Sequence, residues 1–595
     1  MNTIISKYKR MVGAVALTLA MPASTVMLTG CNDFLDTLPL NDVVLENFWT
    51  EKEDVTSVLN SCYESLESPE SIMKMAVWGE MRSDNIDRGN SGDFKSKDEQ
   101  GKIITITSNH DLSEMSKENL LPTNSLAKWG IMYQTINRCN TVCHYAPIVE
   151  EKDPNYTVAE MKANIAEATF IRDLCYFYLI RTFRDVPITF EPSIDDTKEF
   201  QIPPVSMMAA LDTLIADLEK VKDDAVKRYV DDSRMTNTEA ALSAYENSSR
   251  VTRVAIYALL ADMNLWRGNW DECIKYCDLV IDFKKEQYRM KKENLGDLTD
   301  MFEYDGIPLI RESRTGTTSC GNAYNQIFGT GNSFESLFEL YFKEGQSVKN
   351  DFVNNCYANG SNGAPGHLFV APDMKYSEVI EGKNDLFAKN DCRFYETMSK
   401  ESDKYYITKY VNSTVSLDVS NVTDERSLKL ITSKRGDLTS NWIVYRLTDV
   451  MLMKAEAEIM KGEEGYQRAF NLINSVNMRA RNFTSTDAQG ALSFDNYKQS
   501  RETMEQLLLD ERKRELMFEG KRWYDLVRVS MRDGDTRHLV TEATEKYQSS
   551  NKNAIMIKLG NPNIIFFPYH RDELRLNTYL KQNSAYSDSE DFVNN

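Results

Sequence analysis

The stretch Val254–Asp282 reads VAIYALLADMNLWRGNWDECIKYCDLVID, and the stretch Tyr445–Arg479 reads YRLTDVMLMKAEAEIMKGEEGYQRAFNLINSVNMR. Each contains an apolar helical segment, a turn glycine (Gly268 or Gly462), an aromatic residue and a second helical segment. After the aromatic residue, the positions at offsets of three, seven and ten are small or apolar in both stretches, and these offsets lie on one face of a helix. The two stretches therefore predict two copies of one helix–turn–helix unit.

This unit resembles the tetratricopeptide repeat, in which helical hairpins bury their apolar sides only against neighbouring hairpins. The alternative is an ordinary helical hairpin that occurs twice by chance. Helical periodicity also marks Glu53–Leu66, Trp129–Tyr145 and Ala166–Phe183. The last of these should end near Asp185, because Pro187 follows and disfavours helical geometry just before it. We predict a mainly α-helical fold, a tetratricopeptide-like array of helical hairpins with long irregular loops and a few short strands.

The N-terminus has the features of a lipoprotein signal. Basic residues precede an apolar run, Met11–Met27, which is short for a membrane span and is followed by Leu-Thr-Gly-Cys at Leu28–Cys31. This tetrapeptide resembles the lipobox of bacterial lipoproteins, which implies cleavage before Cys31 and acylation of that cysteine. The alternative is a plain signal peptide with an incidental cysteine. We predict that residues 1–30 are a lipoprotein signal peptide and that acyl chains on Cys31 anchor the protein.

Charge and cysteine content narrow the functional classes. The chain has 595 residues and a formal net charge of −20, which argues against nucleic-acid binding because that affinity depends on neutralising phosphates. Ten cysteines less Cys31 leave nine, an odd number without the pattern of a small disulfide framework. The pairs Cys139/Cys143 and Cys273/Cys277 could bind zinc or form disulfides, but their helical spacing favours small buried core residues.

Catalytic motifs are missing from the sequence. It contains no HExxH, GxSxG, GxxxxGK[ST] or EF-hand pattern. The segment Glu511–Arg528, ERKRELMFEGKRWYDLVR, could supply carboxylates for acid/base chemistry or could be structural. It contains three i,i+3 pairs of opposite charge, each worth a few tenths of a kcal/mol on a helix surface: Glu511–Arg514, Glu519–Arg522 and Asp525–Arg528. We interpret the segment as scaffold and predict a protein that is not an enzyme, with a surface glycan hydrolase as the alternative.

Nine blocks in order resemble the SusD/RagB-like surface lipoproteins, the nutrient-binding partners of TonB-dependent outer-membrane transporters. They include CNDFLDTLP at Cys31–Pro39, AEATFIRDLCYFYLIRTFRDVPI at Ala166–Ile188, the Glu511–Arg528 segment and FFPYHRDELRLNTYLKQNSAY at Phe566–Tyr586. Arg184 stands where the family pattern usually has glycine. We divide the chain into an N-terminal region (31–240) and a C-terminal region (241–595) of one interlocked fold.

The resemblance implies four tetratricopeptide-like units and an outer-membrane location, lipid-anchored and facing the cell exterior. It implies that the protein packs as a lid on a SusC-like transporter, captures glycan and passes it inward without cleaving it. Some relatives bind peptide, which stays an alternative ligand. A helical-array adaptor that binds only protein is a further alternative.

Three polar stretches are the expected location of the ligand site: Asp84–Asn119, Arg311–Ser333 and Asn350–Pro372. We predict a shallow glycan platform, with aromatic residues under the sugar rings and polar groups for the hydroxyls. The candidate ligand-binding residues are Trp78, Arg82, Asp84, Asn85, Asn322, Tyr324 and Tyr357. The alternatives are a core position for the tryptophan, turn formation for the Asp-Asn pair and loop packing for the tyrosines. We predict no cofactor and no metal, although calcium supporting a loop stays open.

Overall fold

In the computed structural model, the described residues begin at position 48. They are 48–89, 92–97, 102–194, 201–312, 318–343, 349–357, 366–371, 386–388, 391–401, 404–418, 420, 429–435, 439–481 and 492–587. The predicted signal peptide and the predicted acylation of Cys31 lie outside this range and stay predictions. From Trp49 onward the described chain forms one compact unit. Among the described residues, no helix has both the length and the apolar character needed to cross a bilayer.

Helices make up most of the structure. They are α1 (Lys52–Glu67), α2 (Pro69–Glu80), α3 (Asn109–Ser116), α4 (Gly130–Lys152), α5 (Val158–Phe183), α6 (Met207–Val221), α7 (Asn237–Ser243), α8 (Glu246–Ser249), α9 (Arg253–Arg267), α10 (Trp270–Leu295), α11 (Cys392–Thr397), α12 (Leu447–Met460), α13 (Glu463–Arg479), α14 (Arg501–Leu516), α15 (Arg522–Asp533), α16 (Arg537–Ala543), α17 (Ser549–Leu559) and α18 (Arg571–Leu576). Short 3₁₀, α or π turns lie at Ser125–Ala127, Asn322–Tyr324, Asn325–Thr330, Val353–Tyr357 and Phe494–Asn496.

The strands are short and form small antiparallel sheets between the helices. They are β1 (Ile86–Arg88), β2 (Phe94–Lys97), β3 (Ile103–Thr107), β4 (Val186–Pro187), β5 (Pro204–Val205), β6 (Met301–Tyr304), β7 (Ile307–Ile310), β8 (Thr318–Ser319), β9 (Ser336–Leu340), β10 (Leu368–Val370), β11 (Met398–Glu401), β12 (Lys404–Ile407), β13 (Asn412–Asp418), β14 (Lys429–Lys434) and β15 (Trp442–Arg446). The pairs are β1–β10, β2–β3, β4–β5, β6–β7, β9–β15 and β11–β12, and β13 pairs with both β8 and β14. The predicted mainly α-helical class with a few short strands is confirmed.

Eight helices form the array that the repeated sequence unit predicts. In chain order α1 packs on α4, α4 on α5, α5 on α6, α6 on α9, α9 on α10, α10 on α12 and α12 on α13. The two quoted stretches are the hairpins α9–α10 and α12–α13, and their turn glycines have φ of +83° at Gly268 and +84° at Gly462. Since α10 packs on α12, the two copies are neighbours, as the repeat model requires.

Helix α5 begins earlier than its apolar pattern predicts. A capping box at its start was missed: the Thr157 hydroxyl accepts a hydrogen bond from the backbone N–H of Glu160, and the Glu160 carboxylate accepts from Thr157. The helix ends at Phe183, in agreement with the prediction. Arg184 then has φ of +72° and ψ of −69°, and the N–H of Asp185 donates to the Phe183 carbonyl oxygen at 3.0 Å, which makes a γ-turn. Positive φ explains why the family pattern usually has glycine at this position.

One disulfide was not anticipated. Within the described residues, Cys320 and Cys392 are bonded, with their Cα atoms 5.4 Å apart and 72 positions between them in sequence. The four helical cysteines of the sequence analysis are not in disulfides, and three of them are fully buried, which confirms the core interpretation. A disulfide is expected in a protein that folds after export, because cytosolic thiols are kept reduced.

We expect the double substitution Cys320→Ser/Cys392→Ser to lower the free energy of unfolding by about 2–4 kcal/mol, because the cross-link restricts a long loop in the unfolded chain. Urea unfolding followed by circular dichroism measures this loss. The reduced wild type should unfold at the same urea concentration as the variant, and reductant should leave the variant unchanged. Equal stability of the oxidised wild type and the variant would contradict the prediction.

Candidate ligand-binding site

Two of the predicted polar stretches meet in space although they are far apart in sequence. Strand β1 pairs with β10, so that Ile86 lies opposite Val370. The ladder continues beyond the strand ends, where the N–H of Gly89 donates to the His367 carbonyl at 2.7 Å. We call the surface made by strands β1, β2, β10, β11 and β12 the loop face.

Side chains also tie the two stretches together. The ring of Phe94 on β2 meets the ring of Phe352 edge-on, with centroids 6.4 Å apart. The Ser96 hydroxyl on the same strand donates a hydrogen bond to the carboxylate of Asp351. The loop face is therefore held together by strand pairing and by side-chain contacts, which gives a surface of defined shape on the helical scaffold.

Two aromatic pairs lie on the hairpin β11–β12 of the loop face. The ring of Tyr406 meets Phe369 of β10 edge-on at 5.0 Å, and the ring of Tyr405 lies 6.2 Å from that of Phe394. Because successive strand residues point to opposite faces, the two tyrosines belong to different sides of the hairpin. Tyr406 is half-buried. Part of this residue is therefore exposed to solvent.

A polar cluster lies at the end of β1. The Arg88 guanidinium at the end of β1 donates to the side-chain oxygen of Asn109, and the backbone N–H of Asn109 donates to the Asp93 carboxylate at 3.0 Å. Gly89, the residue after Arg88, lies close to the aromatic pair, since a Cβ atom at that position would be only 2.9 Å from the Phe369 ring. The loop face thus carries aromatic rings as well as guanidinium, amide and carboxylate groups, the types of group that contact the apolar face and the hydroxyl groups of a sugar.

Trp78 does not face a ligand site in this structure. It is fully buried on α2, and its indole N–H donates to the Leu126 carbonyl at 2.9 Å. Its ring meets Phe183 and Phe567 edge-on. A core position was the alternative for this tryptophan, and the structure places it in the core.

The neighbouring polar candidates are buried as well. Arg82 donates to Glu118 at 2.8 Å, and the Asn85 amide donates to Glu80 at 2.6 Å. Asp84 pairs with Lys513 and Arg522, bases of the Glu511–Arg528 segment.

The same pairing sets the charge state of Asp84. Burial by itself would raise the pKa of Asp84, but Arg522 and Lys513 outweigh burial and hold that pKa well below its ordinary value. These groups are buried and paired with other side chains of the protein.

The predicted residues of the central loops are also occupied. The Tyr324 hydroxyl is buried between the carbonyls of Thr408 and Asn412, and the Tyr357 hydroxyl donates to the Phe518 carbonyl at 3.0 Å. Asn322 is half-buried, and its amide donates to the Arg311 carbonyl at 2.6 Å.

The structure therefore unites two of the predicted loop regions but places six of the seven predicted residues in the interior. The prediction overlooked Tyr405 and Tyr406, although two adjacent tyrosines in an otherwise polar insertion were a visible signal.

The Glu511–Arg528 segment is scaffold, but its ion pairs are buried and mostly long-range. Glu511–Arg514 and Asp525–Arg528 form at 2.8 and 2.9 Å, as predicted. The predicted pair Glu519–Arg522 is wrong, because Glu519 instead binds Lys409 at 2.6 Å and Arg446 at 2.8 Å. Helical spacing identified which charges could pair, whereas burial by the surrounding elements decided which of them do.

A calcium site would need several oxygen ligands that are not already used. Among the described residues, Glu312, Cys392 and Glu396 are close enough to one another to share an ion. Cys392 is in the disulfide, and the two carboxylates accept hydrogen bonds from the backbone N–H groups of Asn322 and Gly321. This group does not fit calcium, and calcium elsewhere stays a hypothesis.

Comparison with known proteins agrees with this architecture. A sequence model described as the SusD family matches residues 312–586. The chain is 24% identical over 582 residues to SusD-like protein P25 of Formosa agariphila, covering 93% of this chain and 95% of that protein. It is 22% identical over 534 residues to SusD-like protein P38 of the same organism, covering 87% and 91%.

Solved structures share the fold. A SusD superfamily protein from Bacteroides thetaiotaomicron superposes with a TM-score of 0.61 at 18% identity, covering 90% of this chain and 100% of that one. Surface glycan-binding protein A from Bacteroides uniformis superposes with a TM-score of 0.58 at 18% identity, also covering 90% and 100%. The chain is therefore similar in sequence to the SusD family over residues 312–586 and to SusD-like proteins over most of its length, and it shares the fold of SusD superfamily proteins.

Proposed function

We propose that this protein binds a glycan on the loop face and delivers it, uncleaved, to a SusC-like TonB-dependent transporter in the outer membrane. The observation that carries the proposal is that the loop face, at the junction of two loop regions, carries both the half-buried Tyr406, packed on Phe369, and the Arg88–Asn109–Asp93 cluster. One structural relative is itself named a surface glycan-binding protein, which supports the ligand class.

The chemistry of a sugar explains why these groups belong together. The C–H face of a pyranose ring is apolar, and covering it with the Tyr406 ring contributes about 25 cal/mol for each Å² removed from water. The hydroxyl groups at the rim need partners, since an unpaired buried polar group costs about 1–3 kcal/mol. Arg88 and Asn109 can donate to hydroxyl oxygens, and Asp93 can accept from hydroxyl groups.

Binding without hydrolysis is the simpler use of this surface. A glycosidase needs two carboxyl groups on either side of the scissile bond. On the loop face, Asp87 accepts a hydrogen bond from the N–H of Arg88, and Asp93 accepts one from the N–H of Asn109. Both carboxylates therefore support local backbone structure. SusD-like proteins are generally binding proteins, which favours the same conclusion.

Replacing Tyr406 with alanine should weaken glycan binding about tenfold or more, because the ring that covers the sugar is removed. A glycan array identifies the ligand for the wild type, and isothermal titration calorimetry measures the loss. Tyr579→Ala is the control, since Tyr579 is 56% exposed, follows α18 and belongs to none of the strands of the loop face. Equal affinity of Tyr406→Ala and the control would place the site elsewhere.

Delivery to a transporter requires a separate test. Pull-down of the protein from its native membrane should co-purify a barrel transporter, and incubation with the bound glycan should release no reducing ends. Co-purification without any glycan on the array would favour an adaptor, and release of reducing ends would contradict a pure binding role.

A further inference from the structure

A groove lies between α1 and α5, on the helical part of the protein. Val226 and Tyr229 form a third wall, and Arg250 and Tyr156 also contribute to the lining. The volume of the groove is about 540 Å³, which is within the range of about 300–1,000 Å³ that small-molecule sites occupy. None of the described residues that line the groove belongs to a strand of the loop face. The groove is therefore a separate cavity, large enough for a ligand the size of a disaccharide.

The wall that α1 contributes is a polar stripe. Glu53, Thr56, Ser57 and Asn60 line the groove, and their offsets of three, four and seven place them on one face of the helix. All four side chains are exposed, and none of them is among the buried residues of α1. This face of α1 therefore takes no part in packing the helix onto its neighbours.

The wall from α5 has the same spacing and nearly the same character. Its residues are Glu160, Ala163, Asn164 and Glu167. Where helices of an array pack directly on each other, such stripes are apolar. In these two stripes, Ala163 is the one apolar residue. The two helix faces therefore border a polar groove instead of forming an apolar contact.

A fixed arginine lies at the base of the groove. Arg250 donates to the Glu167 carboxylate from Nη2 at 2.6 Å and from Nε at 3.3 Å, and its guanidinium lies 4.3 Å from the ring centroid of Tyr229. The Tyr63 hydroxyl donates to the same carboxylate at 2.6 Å. The Arg250 side chain is nevertheless 35% exposed, whereas that of Glu167 is only 2% exposed. An oriented guanidinium is therefore available to a ligand, and little ordering is needed when the ligand binds.

The charges of the lining do not favour an anion. Its bases are Lys52 and Arg250, and its acids are Glu53, Glu160 and Glu167. Acids outnumber bases, and Arg250 is already paired with Glu167. A neutral ligand with many hydroxyl groups suits this mixture of donors and acceptors better than a charged one does.

We propose that this groove is a second glycan-binding site, which takes a neutral disaccharide unit. Arg250 and the Asn60 amide would donate to sugar oxygens, the Ser57 hydroxyl and the Asn60 carbonyl oxygen would accept, and the half-buried Tyr229 would cover part of an apolar sugar face. An extended peptide suits the groove less well, because peptides commonly pair their backbone with a strand edge and these walls are helical. The ligand class rests on the proposed glycan function, although the site does not overlap the loop face.

Ser57→Trp tests the groove, because it places a large side chain there from an exposed position of α1. Ala554→Trp is the control, since it adds the same side chain at an exposed position of α17, outside the groove. Both are made in the Tyr406→Ala background, in which the loop face is weakened. The probe is an array of neutral disaccharides in α and β linkage with their uronate counterparts, and calorimetry measures the affinity of each ligand found.

Tyr406→Ala should retain a neutral disaccharide, and adding Ser57→Trp should weaken that binding about tenfold or more. Asn60→Ala removes one amide without filling the groove and should weaken binding several-fold, whereas Ala554→Trp should change nothing. Thermal unfolding should show equal melting temperatures for the variants with and without Ser57→Trp.

The contrary outcomes separate this site from the loop face. Loss of all disaccharide binding in Tyr406→Ala, or retained binding that Ser57→Trp leaves unchanged, would overturn the groove and leave the proposed glycan function intact. Binding that Ser57→Trp removes and Tyr406→Ala does not weaken would support the groove and place the site of the proposed function here. A retained ligand that is a uronate, or a peptide array that binds in a manner blocked by Ser57→Trp when no glycan binds, would overturn the neutral-glycan assignment.

Discussion

Replacing Glu515 with alanine should lower the free energy of unfolding by about 5 kcal/mol or more, and we expect little folded protein to remain at 37 °C. Glu515 is buried and accepts hydrogen bonds from Arg446 at 2.6 Å, Arg393 at 2.9 Å and Arg479. Removing one partner of a buried ion pair costs about 3–5 kcal/mol, because the remaining charge is left without compensation. Here three guanidinium groups lose a shared partner.

The charge state of Glu515 adds a pH dependence. Burial alone would raise the pKa of Glu515, but Arg479, Arg446 and Arg393 outweigh burial and hold it well below the ordinary value. Burial would also raise the pKa of Glu511, but Arg393 and Arg514 outweigh burial and lower this pKa to about 2. A carboxylate with a depressed pKa stabilises the fold above its unfolded pKa of about 4.3 and loses that contribution as pH falls. Wild-type stability should therefore decrease steadily below about pH 5.

Glu502→Gln is the matched control for Glu515→Ala, because both variants remove one carboxylate charge. Glu502 lies on the same helix, α14, but its side chain is 75% exposed and its nearest base, Arg501, is 4.0 Å away. We expect a change of less than about 0.5 kcal/mol in this variant. Urea unfolding of the three proteins measures both effects. A loss below about 1 kcal/mol in Glu515→Ala would show that the buried network contributes little.

Gly79→Ala should destabilise the protein by about 4 kcal/mol or more. Gly79 is on α2, and a methyl group there would overlap the backbone carbonyl of Gly520 and lie 3.0 Å from the Tyr524 ring. Overpacking of side chains usually costs 1–3 kcal/mol, but a backbone group cannot rotate away. The turn that contains Gly520 is also held in place. The Glu80 carboxylate accepts hydrogen bonds from the backbone N–H groups of Phe518, Lys521 and Arg522 at 3.0–3.4 Å.

Gly130→Ala provides the matched control. Gly130 is the first residue of α4, and a Cβ atom there would have no neighbour within 4 Å. Alanine in a helix is favoured over glycine by roughly 0.5–1 kcal/mol, so this variant should be as stable as the wild type or slightly more stable. Thermal unfolding compares the two variants. Similar melting temperatures of Gly79→Ala and Gly130→Ala would mean that α2 and the turn at Gly520 do not approach as closely as the structure shows.

Local patterns were sufficient to predict the helical array. Apolar spacing identified the hairpins α9–α10 and α12–α13, and Pro187 located the end of α5. These features depend on residues within a few positions of one another, so a single sequence contains them. The sequence also contained the capping box at Thr157, although its apolar pattern alone placed the helix start too late.

The candidate site was only partly predictable. Polar composition singled out the loop regions, but composition does not show which side chains point outward. Asp84 and Arg82 look like ligand-binding residues in sequence, yet Lys513, Arg522 and Glu118 occupy them. Those partners lie up to several hundred positions away, and no local rule pairs them.

By itself, the sequence determined that this chain forms stacked helical hairpins and where their turns lie, because helix periodicity and turn chemistry act over a few residues. Only the tertiary structure decided that Glu511–Arg528 is a buried ion-pair network and that Tyr406 is partly exposed whereas Trp78 is buried. Burial and charge pairing depend on which distant elements pack together, and that choice minimises the free energy of the whole chain rather than of any segment.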